Sequence, residues 1–188
     1  MLAAMPAPTS PKKTSKGLIF VIVLVGAAVL AVPCIGVLAA VAVPAFIGYL
    51  TRAKTAEAES NLRSLHAAAA SYYAMEHYPA GGGEALSGCV VPSARTENIP
   101  GAQKTLLPPS LGPSFDDLGF AITDPIYFQY EIVSVGGCGH GPNEPLYSFR
   151  AHGDLDGDGV QSLYEISAGS DDLNELTHPV IYRENELE

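Results

Sequence analysis

Acidic residues are missing from the N-terminal part of this chain. None precedes Glu57, and no charge of either sign lies between Lys16 and Arg52. Cysteine is scarce as well, with only Cys34, Cys89 and Cys138 among 188 residues, which excludes a disulfide-dense miniprotein. Basic residues number 10 against 20 acidic ones, for a formal net charge of -10. That balance argues against a nucleic-acid partner, whose phosphates would be repelled. The chain therefore reads as three zones: a small basic tip carrying Lys12, Lys13 and Lys16, an uncharged run, and an acidic body.

The uncharged run extends from Gly17 to Leu50. A bilayer core needs about 20 apolar residues in helical form, so this run crosses with residues to spare. The apolar core of a cleavable secretory signal is only about 7–15 residues long, too short to describe it. Pro33 in front of Cys34 excludes a lipoprotein signal, which needs a small residue there, so Cys34 is a small residue of a membrane helix. Lysines ahead of the run hold the tip in the cytoplasm. The expected location is the inner membrane, single-pass, with the C-terminal domain outside the cytoplasm.

Beyond the run, "TRAKTAEAESNLRSLHAAAASYYAMEHYP" is dense in good helix formers. Ala58, Leu62, Leu65, Ala69 and Tyr72 recur at steps of four and three, which makes one narrow apolar stripe. Pro79 and Gly81 to Gly83 end the pattern. Pro33 and Pro44 are expected to kink the helix without ending it. The stretch 80–125 is studded with proline and glycine and reads as loop. Strand signals follow in "IYFQYEIVSV" (126–135), where Phe128, Tyr130 and Ile132 share one face, and in "LYSFRAH", where Tyr147, Phe149 and Ala151 do. "SLYEISA" and "PVIYRE" are weaker strands. Three or four short strands joined by turns make an antiparallel sheet whose apolar face the helix stripe covers. The expected organisation is a basic leader or cytoplasmic tip (1–17), a transmembrane half of the helix (18–50), an extracytoplasmic half (51–79), a loop region (80–125) and a sheet with its turns (126–188).

The stretch "GVLAAVAVPAFIGYLTRAKTAEAESNLRSLHAAAASYYAMEHYP" resembles the N-terminal helix of type IV pilin-like proteins. It has small residues from Gly36 to Ala40, a proline at Pro44, an aromatic soon after, and a switch to a charged helix ending near Tyr-Pro. "FDDLGF", "IYFQYEI", "GDLDGDG" and the terminal "ENELE" are similar to fimbrial proteins of the deltaproteobacterial and myxobacterial kind. The resemblance implies an α+β pilin-like fold, a long N-terminal helix packed on a small antiparallel sheet. It implies a structural subunit, not an enzyme, of a type IV pilus or a type II secretion pseudopilus. Its partners would be the inner membrane, other pilin-like subunits met through the helix, and a prepilin peptidase cutting between Gly17 and Leu18. The family places a glutamate five residues into the mature helix; this chain has Ile22 there, or Ala27 if Gly36 and Pro44 set the register. That departure points to a minor subunit. The alternative is a non-polymerising, membrane-anchored calcium-binding envelope protein with the same fold.

"DLDGDGVQSLYE" (154–165) fills the twelve-residue calcium pattern. Asp154, Asp156 and Asp158 stand at positions one, three and five, and Gly159 at six. Val160 offers its carbonyl at seven, Ser162 stands at nine, and Glu165 closes at twelve. Carboxylates so close repel by about 4 kcal/mol per pair at 4 Å in a dielectric near 20, and a cation offsets that. The competing reading is a plain Asp-Gly turn. Strands flank the pattern, so the expectation is a hairpin braced by structural calcium. Cys89 and Cys138 both lie outside the membrane run, and with Cys34 in lipid they are expected to pair in an oxidising envelope. Cys138 and His140 alone are too few for a metal site. No motif places a nucleophile at an elbow. His66, His77, His152 and His178 read as surface or edge histidines.

Overall fold

The computed structural model describes residues 16–79, 81–178 and 180–186. The leader up to residue 15, with Lys12 and Lys13, and the last two residues of "ENELE" lie outside them. The chain divides into two units between Ile47 and Gly48.

In the first unit, residues 16–47 form the opening part of helix α1 (Lys16–Ala74), and every one of them is exposed. The helix continues through Pro33 and Pro44. A helix that is apolar on all sides and uncovered by protein is stable only where its surroundings are apolar too. This one is long and apolar enough to cross a membrane.

In the second unit, α1 changes character. Thr55, Ala58, Leu62, Leu65, Ala69 and Tyr73 are buried along one side. The stripe follows the sequence pattern until its last step, where Tyr73 takes the buried place expected of Tyr72, which is only half-buried. The helix ends at Ala74, earlier than Pro79 suggested. The Met75 N–H turns back onto the Tyr72 carbonyl, and His77 exchanges backbone hydrogen bonds with Leu86.

The sheet is antiparallel throughout. Its strands are β1 (Ala94–Arg95), β2 (Gln129–Ser134), β3 (Pro145–Gly153), β4 (Ser162–Ser170), β5 (Leu176–Thr177) and β6 (Ile181–Glu184). The order runs β1-β2-β3-β4-β5, with β6 also on β4. The short helix α2 (Pro113–Asp117) and strand β1 fall in the stretch expected to be loop. Both are too short to give a periodic signal. Pairing sets Tyr130, Ala151 and Tyr164 side by side, then Ile132, Phe149 and Ile166. All six are buried, in one core with the α1 stripe, Phe115, Phe120 and Phe128. The opposite face carries Glu131, Arg150 and Glu165 in one row across the same strands.

Polar groups tie the helix to this layer. Asn61 Nδ2 donates to the Tyr130 hydroxyl at 2.7 Å, and the Tyr127 N–H to Glu57 at 2.8 Å. Lys54 and Lys104 lie over the Tyr127 ring at 4.8 and 5.0 Å, with Lys104 also paired to Glu57 at 3.2 Å.

Candidate functional site

The aspartate loop joins β3 to β4. Its start is pinned at Gly153, where a Cβ would collide with the Phe128 ring and with Ser162 Oγ. Two further glycines, Gly157 (φ 82°) and Gly159 (φ 93°), take left-handed conformations that let the chain reverse tightly. Each aspartate accepts a backbone N–H: Asp154 from Gly157 at 2.7 Å, Asp156 from Asp158 at 3.2 Å, Asp158 from Val160 at 2.7 Å. Leu155 is buried, and its carbonyl accepts from Lys54 Nζ at 3.2 Å, which fastens the loop to α1. One oxygen from each of Asp154, Asp156 and Asp158 lies within 4.8 Å of the others.

Two further members of the twelve-residue set, Ser162 and Glu165, do not converge there. Ser162 and Glu165 both belong to β4, and three steps along a strand place them on opposite faces. Ser162 is fully buried. Glu165 stands on the outer face, where Arg150 Nε donates to it at 2.8 Å and Ser167 Oγ at 3.0 Å. Burial works to raise the Glu165 carboxyl, but Arg150 and the hydrogen bonds around it outweigh that and hold it below the ordinary range. In a calcium hand the closing glutamate sits on a helix that curls back to the ion; an extended strand carries it away. Val160, two residues before β4, gives its N–H to Asp158. The residues that could hold a cation here are therefore the three aspartates.

Cys89 and Cys138 form a disulfide across 49 positions. The two segments also pair through backbone: the Val90 N–H donates to the Gly137 carbonyl at 2.7 Å, and the Gly139 N–H to Ser87 at 2.9 Å. Cys34 is a free thiol on the exposed part of α1. Gly17 and Leu18 lie in the first turn of that helix.

The histidines divide. His152 lies on the outer face, 3.6 Å from Glu131. His66 and His178, read from sequence as bland, meet with ring centroids 4.4 Å apart and nearly perpendicular. His66 Nε2 and His178 Nδ1 are buried without a hydrogen-bond partner. Desolvation first, and then the neighbouring His178, push His66 down to about 4. Nothing in the local sequence joins these two rings, which come from α1 and from the segment after β5.

No protein-family model, curated protein or solved structure matches this chain.

Proposed function

We propose that this chain is a membrane-anchored, pilin-like structural subunit of a type IV pilus or type II secretion pseudopilus, and a minor one. The observation that carries this reading is α1. One helix is apolar and uncovered through residue 47, then buries a single stripe under an antiparallel sheet. An enzyme needs no such helix, whereas a subunit that waits in lipid and later packs among like helices needs an apolar surface all round. Ile22 or Ala27 in place of a helix glutamate supports a minor role, because a subunit at the end of an assembly has no neighbour to meet with that carboxylate. The inner membrane, a prepilin peptidase and other pilin-like subunits are the partners this role implies.

The convergence of Asp154, Asp156 and Asp158 favours a second reading, a non-polymerising calcium-binding envelope protein with the same fold. Under both readings calcium is structural, held by the three aspartates, and braces the β3–β4 hairpin. Affinity purification of the full chain from native envelopes separates the two. A subunit brings other pilin-type proteins with it and enters the sheared surface-filament or pseudopilus fraction. A protein found alone in the membrane, with and without calcium, sinks the first reading.

A further inference from the structure

We propose that His140 is a proton-operated clasp: as an imidazolium it holds the 136–144 loop closed through both ring nitrogens, and on losing a proton it lets go of Gly136. The loop runs from the end of β2 to the start of β3 and contains Cys138. His140 Nδ1 lies 3.0 Å from a Glu144 carboxylate oxygen, and Nε2 lies 2.9 Å from the Gly136 carbonyl oxygen. Both partners are acceptors only. A neutral imidazole has a single N–H and satisfies one of them; the imidazolium satisfies both. The His140 side chain is 20% exposed, and its contact with the Gly136 carbonyl is the more covered of the two.

The surroundings leave the imidazole as the titrating group. Among the described residues, Glu144 is the only charged group acting on the ring. Its carboxyl is held below the ordinary range, first by the His140 hydrogen bond and then by the Gly141 N–H, so it stays ionised. The segment around Gly88 on one side offers backbone: the His140 N–H donates to the Gly88 carbonyl. From α1, the Tyr73 hydroxyl lies 3.3 Å from the His140 carbonyl and donates to Asn174 at 2.8 Å. Burial is the largest influence on that phenol and shifts it upward, so it stays neutral. From the end of β4, Ser170 Oγ donates to the Gly141 carbonyl and accepts the Glu144 N–H.

The Gly136 carbonyl raises His140 above its ordinary value most strongly; burial opposes, and Glu144 adds to the rise. The clasp is therefore fully closed below about pH 6.5 and opens as pH climbs through the raised value. A carboxylate is the stronger acceptor, so the remaining proton stays on Nδ1 and the Gly136 end is released. Gly136 has a φ of 64° and can change conformation at little steric cost, while Gly137 stays held by the Val90 N–H.

The test is a pH titration of the full chain in detergent micelles, with imidazole nitrogens followed by NMR and the His140 signal assigned by its loss in His140→Gln. Hydrogen exchange, corrected for intrinsic rates, is read in parallel. His140 should titrate above 6.5, and Glu144→Gln should lower its midpoint. Protection of the 136–141 amides should fall roughly fivefold across that titration, of the order of one charge-assisted bond with solvent screening, while β3 and β4 amides hold. If His140→Gln misfolds, the His140 imidazole is assigned through bonds from its own backbone, and the wild-type and Glu144→Gln titrations decide. A His140 midpoint at or below 6.5, or loop protection that does not move with it, overturns the clasp.

Discussion

Arg150 and Glu165 face each other across β3 and β4, with Nε donating to the carboxylate at 2.8 Å. That contact removes Glu165 from the loop it would have closed and leaves Asp154, Asp156 and Asp158 as the candidate ligands. Thermal melts of the full chain in detergent should therefore rise with millimolar calcium relative to chelator. A ligand that binds only the folded state stabilises by about 2.7 kcal/mol at a hundredfold excess over Kd. Asp156→Ala should abolish most of the gain, whereas Glu165→Gln should keep it. Loss of the calcium response in Glu165→Gln, with Asp156→Ala unaffected, would reverse this assignment.

Acid should weaken the fold through His66. Its folded value is depressed to about 4 from an ordinary 6.5, so the unfolded chain takes up the proton first. The contribution is complete above about pH 6.5 and is lost as pH falls from there toward about 4. A tenfold difference in proton affinity between folded and unfolded chain is worth about 1.4 kcal/mol. Discounted for a half-buried ring, the loss is about 1–2 kcal/mol. Denaturant unfolding of wild type and His66→Leu at pH 7 and pH 4.5 checks this: the leucine variant should show the smaller drop. An equal drop in both would mean that other groups carry the acid sensitivity.

Reduction of Cys89–Cys138 should lower stability by about 4 kcal/mol, the loop-closure entropy for a 49-residue separation. The Cys89→Ala/Cys138→Ala double variant should melt lower than wild type, and added reductant should then change nothing further. A double variant as stable as the oxidised protein would mean that the Val90–Gly137 backbone pairing suffices.

The helix stripe offers a direct probe of packing. Leu62 is fully buried, and Leu62→Ala should cost about 2–5 kcal/mol through lost burial and the cavity left behind. Ala67 lies on the exposed side of the same helix, and Ala67→Ser should change stability by less than about 0.5 kcal/mol. Chemical denaturation of the two variants side by side compares them.

The sequence was most legible where a pattern repeats. Ala58, Leu62, Leu65 and Ala69 mark the buried face of α1, and Tyr130 and Ile132 the buried face of β2, with Phe128 buried just ahead of the strand, because each periodicity reports directly on which side is covered. Tyr72 and Tyr73 are adjacent and chemically alike, and Tyr73 is the one whose hydroxyl meets Asn174 and the His140 carbonyl. That Asp154, Asp156 and Asp158 come together was readable, because a tight turn needs little beyond local spacing. Glu165 was not, since strand parity decides its face and Arg150 lies 15 positions away in sequence. The His66–His178 pair and the Lys54 bond to Leu155 depend on chain segments more than 100 positions apart.

The pilin-like reading turns most directly on the mature N-terminus. Intact-mass analysis of the protein extracted from cells that process their own prepilins would supply it. The expected chain begins at Leu18, cut after Gly17 where the lysine tip meets the apolar run. A protein that keeps the residues ahead of Gly17, in cells whose other prepilins lose theirs, would contradict the pilin-like reading.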